Sequence, residues 1–450
     1  MSIEKDNNKD SLEELLIPIN ASDQEATSAI LQEMHPADIA HLFESLHSGQ
    51  REFIWPLIPT EFEGEILLHL NDELRAHLIS RMDASELREA AEQLDTDDLA
   101  DIIPEMPVNV TQELLLTMEA QDRDRLRSVL SYPEDTAGGL MDPDTIMVRE
   151  DISLDVVLRY LRQRGKMPQG TDSLFVVNRE TAYLGVLPLT QILTSPPATL
   201  VSEVMITNID GILADTSAQD VANMFERRDL ITAPVVDVNN HLLGRITIDD
   251  VVDVIRDTAD HSFMSMAGLN EEEDMFAPVF RSTRRRSIWL GINLLTAFLA
   301  SWVIGQFDNT IEQLVALAVL MPVVASMGGI AGSQTLTLMI RGMAVGLVSP
   351  GNARRLFFKE FWVGVWNGLI WAVVIAGVAG LWFNNVNLSI IIALAITINL
   401  IVAAIAGATI PIALQKIGAD PALAGTVVLT TITDVVGFFT FLGLAALFLV

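Results

Sequence analysis

The chain contains 450 residues, and its 28 Lys and Arg residues are outnumbered by 59 Asp and Glu residues, which gives a formal net charge of −31 at pH 7. So large an acidic excess argues against nucleic acid as a partner, because the phosphate backbone would be repelled. The absence of cysteine excludes a disulfide framework and an iron–sulfur site.

The net charge is confined to one part of the chain. Only five basic and five acidic residues follow Arg286, so residues 1–286 hold 23 basic and 54 acidic residues and carry the entire −31. The N-terminal segment is polar and lacks the basic and apolar regions of a signal peptide, so we expect this acidic portion to remain in the cytosol. An acidic surface can bind cations or can simply keep the protein soluble, and charge alone does not decide between the two.

Residues 1–130 repeat a short pattern in which a turn or cap residue is followed by apolar positions at helical spacing. The copies begin at Met34, Leu70, Met82 and Leu94. Such repeats predict an all-α superhelical N-domain. Its clustered carboxylates are explained in part as helix N-caps, and a metal-binding role is equally compatible with the sequence. These carboxylates are Asp95, Asp97, Asp98 and Asp101.

A second duplication covers about residues 140–257. Each copy predicts a short strand, a helix, two strands around a turn and a closing helix. This order resembles a pair of CBS domains, at 131–200 and 201–257. The resemblance is stronger in the second copy, where the segment GRITIDD ends with the family's Asp at Asp250.

The CBS resemblance implies a possible nucleotide site, because CBS pairs usually bind adenine nucleotides or sense a small ligand for an attached transporter or enzyme. ATP is therefore a candidate ligand. The first copy departs from the pattern, since Gln191 replaces the terminal Asp that holds a ribose in relatives. This departure argues against nucleotide binding in the first copy.

Five apolar runs follow the basic cluster at 281–286, and each is long enough to cross a bilayer. All Lys and Arg residues beyond 286 lie in or beside the connections between the second and third runs and between the fourth and fifth. The positive-inside rule then predicts a cytoplasmic N-terminus and a C-terminus on the outer side. The predicted spans are 287–306, 311–347, 361–383, 388–415 and 422–450.

Asp434 lies in the middle of the fifth run, and a carboxylate at that depth requires a polar cavity, a partner or a cation. At helical spacing it shares a face with hydroxylated residues of the same run. In the second run, Pro322 and a series of glycines predict irregular backbone, which survives at membrane depth only in packed protein or beside a cavity. The candidate pore residues are Asp434, Thr426, Thr430, Ser326, Gly328, Gly329 and Ser333.

Two structural explanations compete with a pore. Asp434 could be buried in its protonated form or hydrogen-bonded to a neighbouring helix, and the glycines could serve only a tight helix interface. An odd number of spans with a single Asp near the midplane favours a second chain that completes the pathway around a two-fold axis.

The order of these parts resembles the MgtE family of bacterial magnesium channels. The segments that carry the resemblance are HPADIA at 35–40, YPEDTAGGLM at 132–141, PVVASMGGIAGSQT at 322–335, GADPAL at 418–423 and TDVVGFF at 433–439.

The MgtE resemblance implies a multidomain membrane protein. It would combine the all-α superhelical N-domain, the α/β CBS-domain pair, a long connecting (plug) helix at 252–282 and a five-helix α transmembrane domain at 283–450. It also implies a homodimer in the bacterial inner membrane, with one pore formed by the second and fifth spans of both chains and surrounded by lipid.

The same resemblance implies metal-binding residues. Asp434 matches the cation site in the pore, and Asp420 matches a carboxylate at its cytoplasmic mouth. The family's regulatory metal sites lie between the N-domain, the CBS pair and the connecting helix. The positions that match them are Glu65, Asp97, Asp98, Asp101, Asp229, Asp250 and Asp253.

The chain departs from the family at several of these sites. In the connecting helix, relatives carry acids where this chain has Thr258, His261 and Ser262, and four acids follow a little later at 271–274, so we expect a moved or weakened site. In the pore, Ile330 and Thr426 stand where family members have Asn, which predicts a filter that relies more on hydroxyls and backbone carbonyls.

The predicted function is a Mg²⁺-selective channel or transporter for magnesium uptake and homeostasis, closed by Mg²⁺ bound to the acidic cytosolic domains. Mg²⁺ prefers oxygen ligands and loses its water reluctantly, so a sparse site with one or two carboxylates suits it. A proton- or sodium-coupled divalent cation transporter and a membrane-tethered cation sensor remain as alternatives. We expect no enzymatic activity, because no nucleophile and base pair is evident.

Overall fold

The computed structural model describes residues 16–269, 274–348 and 351–449. Its described residues form two compact units. The first takes in those of Met1–Arg256 and Glu272–Pro278, and the second takes in those of Asp257–Glu271 and Val279–Val450.

The N-terminal part of the first unit consists of short helices joined by tight turns. Side-chain caps fix where several of these helices begin: the Asp83 carboxylate accepts hydrogen bonds from the backbone N–H groups of Ser85 and Glu86, and the Glu86 carboxylate accepts one from the Asp83 backbone N–H. Alternate helices pack on one another, as a superhelical array requires. The helices are Gln24–Leu31, Pro36–Glu44, Ser48–Ile54, Thr60–His69, Asp72–Ile79, Ala84–Ala91, Thr96–Ile102, Val108–Thr117 and Ala120–Val129.

The rest of the first unit contains two three-stranded sheets of the same design, each with one parallel and one antiparallel pair. Each hairpin turn contains a residue in the left-handed conformation, Thr181 in the first sheet and Asn240 in the second. The first sheet contains Met147–Arg149, Ser173–Val177 and Tyr183–Pro188, and the second contains Ile212–Leu213, Thr232–Val236 and Leu242–Thr247. The accompanying helices are Leu154–Arg164, Leu189–Thr194, Val201–Val204 and Ala218–Arg228.

The second sheet shares a hydrophobic core with the helical array. Val235 and Ile246 of this sheet belong to the same buried cluster as Leu99 and Ile102 of helix Thr96–Ile102. This packing brings the acidic first turn of that helix towards the end of the second sheet. The all-α N-domain and the α/β pair are thus confirmed as fold classes.

The connecting helix is shorter than predicted. It extends from Ile248 to Met266 and does not continue to residue 282. Gly268 adopts a left-handed conformation, and the N–H of Leu269 donates to the carbonyl of Met264, which ends the helix as a glycine C-cap does. Residues 279–282, expected in the connecting helix, instead form the start of the first membrane helix.

Five helices of the second unit are long and apolar enough to cross a membrane, as predicted. The fourth is the most buried and packs against the second, third and fifth. Short helix Asp308–Gln313 precedes the second span, so the predicted run 311–347 is not one helix. The spans are Val279–Gly305, Ala316–Ala344, Ala353–Phe383, Val386–Lys416 and Pro421–Phe448.

The expectation of irregular backbone in the second span is wrong. Helix Ala316–Ala344 continues through Pro322 and through the following glycines. Pro322 is beyond the first turn and has no N–H to donate to the carbonyl of Ala318 four residues earlier, yet the helix does not end there. The glycines of the second span therefore do not break the helix. They permit close packing on neighbouring helices or leave the helix surface open.

Candidate functional site

A groove of about 970 Å³ lies along the second and fifth spans within the second unit. Its wall mixes hydroxyl, amide and apolar side chains, with a single carboxylate. The lining residues are Ala325, Ser326, Gly329, Ile330, Ser333, Gln334, Thr337, Leu338, Thr430 and Asp434.

Asp434 provides that carboxylate, and it is partly buried. Within the described part of the chain it makes no hydrogen bond or ion pair. One turn earlier, the Thr430 hydroxyl donates to the Thr426 carbonyl at 2.9 Å, which leaves the Thr430 oxygen able to accept in the groove. The groove therefore offers oxygen ligands of the kind that a hydrated divalent cation uses.

The structure places five of the seven candidate pore residues in this lining: Ser326, Gly329, Ser333, Thr430 and Asp434. The other two lie elsewhere. Gly328 faces away from the groove, and an added Cβ there would collide with the Asn399 side chain of the fourth span. Thr426 is outside the lining and contributes through its backbone carbonyl.

Two polar lining residues were missed by sequence reasoning. Gln334 and Thr337 continue the face of Ser326, Ile330 and Ser333 at helical spacing. The signal for them was present in the sequence, since extension of the same face by one turn predicts both.

Asp420 lies at the start of the fifth span and is outside the groove lining. Its carboxylate caps the helix by accepting from the backbone N–H groups of Ala422 and Leu423, at 2.8 and 3.1 Å. Within the same unit, His261 Nε2 of the connecting helix lies 3.3 Å from Asp420 Oδ2. An imidazole thus meets this carboxylate at the position where the family resemblance implied further acids.

Glu360 is a second buried carboxylate in the membrane helices, and it was not predicted. It is 4 % exposed, near the start of the third span, and it accepts from the Lys359 ammonium at 2.9 Å and from the Thr335 hydroxyl of the second span at 3.4 Å. The predicted third span began at residue 361 and so left Glu360 just outside the membrane segments.

The first unit gathers a cluster of carboxylates, which we call the acidic cluster, from three elements. Asp97, Asp98 and Asp101 project from helix Thr96–Ile102, and Asp250 lies in the first turn of the connecting helix. Asp142, which was not predicted, joins them from the segment before the first sheet, and its carboxylate is paired with the Arg245 guanidinium at 3.0 Å. Asp249 raises the pKa of Asp98 and Asp250 through its charge. The acidic cluster is therefore Asp97, Asp98, Asp101, Asp142, Asp249 and Asp250.

Burial is the main cause of the raised pKa values in the acidic cluster, and mutual repulsion adds to it. Burial together with the charges of Asp142 and Asp98 raises the pKa of Asp97 to about 8. Burial with the charge of Asp250 raises the pKa of Asp101 to about 7. Burial likewise raises the pKa of Asp98 and of Asp250 to about 6, although Thr247 donates hydrogen bonds to the Asp250 carboxylate.

The remaining predicted regulatory residues are less closely associated with the acidic cluster. Glu65 contributes to the raised pKa of Asp98, and its carboxylate is 4.0 Å from the His35 imidazole. Burial raises the pKa of Asp253, which lies beside Asp249 on the connecting helix. Asp229 ends helix Ala218–Arg228 in a left-handed conformation and is not among the charges that act on the cluster.

The acidic cluster is not a preformed metal site. In residues 16–269, 274–348 and 351–449, no group of three or more His, Asp or Glu side chains is arranged to hold a metal ion. One buried oxygen, Asp97 Oδ1, has no hydrogen-bond partner in that part of the chain. The donor chemistry suits a hard cation such as Mg²⁺, while the arrangement would have to contract around it.

The structure describes only one of the four later acids at 271–274. Glu271, Glu272 and Glu273 lie outside the described residues. Asp274 is buried, and its carboxylate accepts two hydrogen bonds from the Arg51 guanidinium at 2.7 and 3.0 Å. Because Arg51 compensates its charge, Asp274 does not supply an uncompensated carboxylate for a cation.

The acidic cluster predicts that the first unit becomes more stable as the pH falls from about 8 towards 5. The raised pKa values mean that the folded state binds protons more tightly than the unfolded state, whose carboxyl pKa values are near 4, so the free energy of unfolding falls as pH rises through that range. Without Mg²⁺, the thermal transition of the first unit should lie several degrees higher at pH 6 than at pH 8.

Circular dichroism of the full chain, with protease protection of residues 16–256, would measure this dependence. The double variant Asp97→Asn with Asp101→Asn should flatten it, and saturating Mg²⁺ should reduce it because the metal replaces the protons. If the first unit instead became more stable as the pH rises from 6 to 8, the raised pKa values of the acidic cluster would be contradicted.

Comparison with known proteins agrees with this architecture. The family models that match are the MgtE intracellular N domain at residues 34–135, the CBS domain at 137–197 and 201–257, and MgtE, described as a divalent cation transporter, at 321–444.

Two relatives span nearly the whole chain. The magnesium transporter MgtE of Thermus thermophilus is 31% identical over 446 residues, which cover 98% of each chain. The magnesium transporter MgtE of Bacillus subtilis is 27% identical over 421 residues, which cover 94% of this chain and 93% of that one. A crystal structure of the cytosolic domain of the Mg²⁺ channel MgtE in complex with ATP is 32% identical, covers 54% of this chain and 99% of that chain, and has a TM-score of 0.49. The chain therefore belongs to the MgtE family.

Proposed function

We propose that this protein carries Mg²⁺ across the membrane through the groove beside Asp434. The observation that supports this most directly is the uncompensated carboxylate at the middle of a membrane helix, set in a wall of hydroxyl and amide groups. The names of the two long relatives specify magnesium as their cargo.

The sparse donor set of the groove fits an ion that keeps its water. Mg²⁺ requires six oxygen ligands at about 2.0–2.1 Å and loses water slowly, so one carboxylate and a few hydroxyls can hold it through its hydration shell. Ile330 occupies the part of the wall where the family resemblance implied Asn. The polar lining residues of the second span are Ser326, Ser333, Gln334 and Thr337. Mg²⁺ would therefore be guided mainly by charge and outer-shell hydrogen bonds.

A homodimer would complete the pathway. One chain supplies one open groove and one uncompensated membrane carboxylate, so a second copy related by a two-fold axis would close the groove and bring two Asp434 residues to face it. The distribution of Lys and Arg supports a cytoplasmic N-terminus and an outer C-terminus, in a bacterial inner membrane.

Gating would depend on the acidic cluster. At low cytosolic Mg²⁺ the carboxylates repel one another across the junction between the helical array and the second sheet. This repulsion destabilises the packing of the array against that sheet. Mg²⁺ would bridge Asp97, Asp98, Asp101 and Asp250 and stabilise that packing, with Asp249 adding charge. The change in the free-energy difference between the open and closed states is set by the difference in their Mg²⁺ affinities.

The connecting helix provides a covalent route from this cluster to the membrane domain. Helix Ile248–Met266 carries Asp250 and Asp253 in the first unit and His261 in the second. Glu65 and Asp229 remain further candidates for regulatory binding. ATP remains a candidate ligand of the CBS pair, although Gln191 stands in place of the terminal Asp in the first copy. We propose no enzymatic role.

Replacement of Asp434 tests the pathway. Asp434→Asn keeps the shape of the side chain and removes the charge that attracts a divalent cation, so Mg²⁺ flux into liposomes should fall at least about tenfold, as loss of one ionic interaction of about 1.4 kcal/mol would produce. The control is Asp308→Asn, an exposed carboxylate of the same unit outside the groove, which should leave flux unchanged.

The outcome also separates the competing functions. Wild-type flux from the Asp434→Asn dimer would remove the pore assignment. Flux that requires a proton or sodium gradient would indicate a coupled transporter. A wild-type protein that binds Mg²⁺ in its cytosolic domain without any flux would indicate a tethered sensor.

Neutralisation of the acidic cluster tests gating. The combined change of Asp97, Asp98, Asp101 and Asp250 to Asn removes both the repulsion and the Mg²⁺ bridges. At millimolar Mg²⁺ the loss of the bridges should dominate, because the raised pKa values leave the carboxyl groups partly protonated near pH 7 and so weaken the repulsion. The variant should conduct at internal Mg²⁺ concentrations that close the wild type, and it should lose Mg²⁺-dependent protection from protease.

Four exposed carboxylates outside the cluster give a matched control with the same change in net charge. Asp151, Glu180, Asp210 and Glu226 serve this purpose. If the cluster variant closes normally with its protease protection intact, the cluster is only a solubilising surface.

A further inference from the structure

Asn399 is a buried amide near the middle of the fourth span. Its side chain is completely buried. Its Nδ2 donates a hydrogen bond to the backbone carbonyl of Val324 in the second span at 3.0 Å. Its Oδ1 is also buried and has no hydrogen-bond partner in the described part of the chain.

Glycines from two other spans pack on this amide. An added Cβ on Gly328 of the second span would collide with Asn399 Nδ2, and one on Gly437 of the fifth span would lie 2.8 Å from the same atom. The Cβ on Gly437 would also lie 3.1 Å from Val324 Cγ1. The amide therefore fills the space that both glycines leave, and it contacts the second and fifth spans at once.

The groove lies beside this contact, along the same two helices. Gly329, the neighbour of Gly328, has open space above its Cα and belongs to the groove lining. Asp434 belongs to the lining as well and precedes Gly437 by about one helical turn. A side chain that sets the separation of Gly328 from Gly437 therefore also sets the position of Asp434 relative to the second span.

Stability alone gives no reason for an amide at this site. A buried amide with an unpaired oxygen is disfavoured against an apolar side chain of similar shape, which would bury no polar atom. An amide instead provides a directional bond to a backbone carbonyl, which fixes the axial register of two helices, as single buried Asn residues do in coiled coils. Apolar packing alone permits neighbouring helices to slide and rotate more freely.

We propose that Asn399 is a positioning residue for the cation site at Asp434. Its bond to Val324 holds the fourth and second spans in register, and its packing on Gly328 and Gly437 fixes the spacing of the two groove walls. This inference rests on the proposed function, since it concerns the geometry of the same pathway.

Asn399→Leu tests the hydrogen bond while it keeps a branched side chain with the same number of heavy atoms. Mg²⁺ flux into liposomes, normalised to folded dimer, should show a half-saturating concentration raised about tenfold, the change expected for loss of one buried hydrogen bond. The matched control is Ser389→Ala, a buried polar residue of the same span that bonds only its own helix, at Asn385, and faces Gly380 of the third span. Its half-saturating concentration should not change.

A second set of variants separates packing from positioning. Gly328→Ala should lower the yield of folded dimer because its methyl group collides with the amide, and Asn399→Ala in the same chain should restore folding by vacating that space. The double variant should nevertheless keep the raised half-saturating concentration, because the bond to Val324 is still missing. A purely structural role would restore folding and half-saturation together.

A double-mutant cycle with Asp434→Asn links the amide to the cation site. In the Asp434→Asn background, Asn399→Leu should cause little further loss of flux, because the site that it positions is already disabled. Wild-type half-saturation for folded Asn399→Leu, or losses that simply add to those of Asp434→Asn, would overturn the inference. Undiminished flux from Asp434→Asn alone would instead count against the proposed function.

Discussion

An ionisable carboxylate in the apolar interior of a membrane domain constrains everything around it. Asp434 cannot face lipid at that depth without a large penalty, so the second span must present polar surface to it. That requirement explains why Ser326, Ser333 and Gln334 lie on one face of an otherwise apolar helix, and why the fifth span is held close to it by glycine contacts. The groove and its close helix packing are two consequences of one electrostatic requirement.

Uncompensated negative charge also governs the first unit. Its acidic cluster is held together by a shared hydrophobic core that packs helix Thr96–Ile102 against the second sheet, at the cost of raised carboxyl pKa values. Protons or Mg²⁺ would relieve that cost, so the same acids make the unit responsive to divalent cations. By contrast, Arg51 neutralises Asp274 in a buried ion pair, which makes that acid structural. Within the described residues Asp97, Asp98 and Asp250 have no such ion pair, whereas Asp142 of the cluster shares a buried one with Arg245.

Much of the fold could be predicted from the sequence, because long apolar runs, strand–helix alternation and cap residues act over short distances. The limits came from tertiary contacts. Helical spacing puts Gly329 on the face of Ser326 and Ser333, but it does not show that Gly328 packs on an amide of another span. A lone Asn399 in an apolar run carries no local signal of its partner, and Asp142 joins the acidic cluster only because a shared core brings distant segments together. The connecting helix ends early at the local cap formed by Gly268. The predicted length of this helix followed the family resemblance and did not take that glycine into account.

The most direct test of the central claim is cysteine accessibility, which the absence of native cysteine makes clean. Ser333→Cys places a thiol in the groove, and Thr409→Cys places one on an exposed face of the fourth span outside it. A cationic methanethiosulfonate should modify the Ser333→Cys variant and block its Mg²⁺ flux, and this reaction should be slower when Mg²⁺ is present. The same reagent should leave the flux of the Thr409→Cys variant unchanged. Continued flux after complete modification of the groove thiol would contradict a pathway beside Asp434.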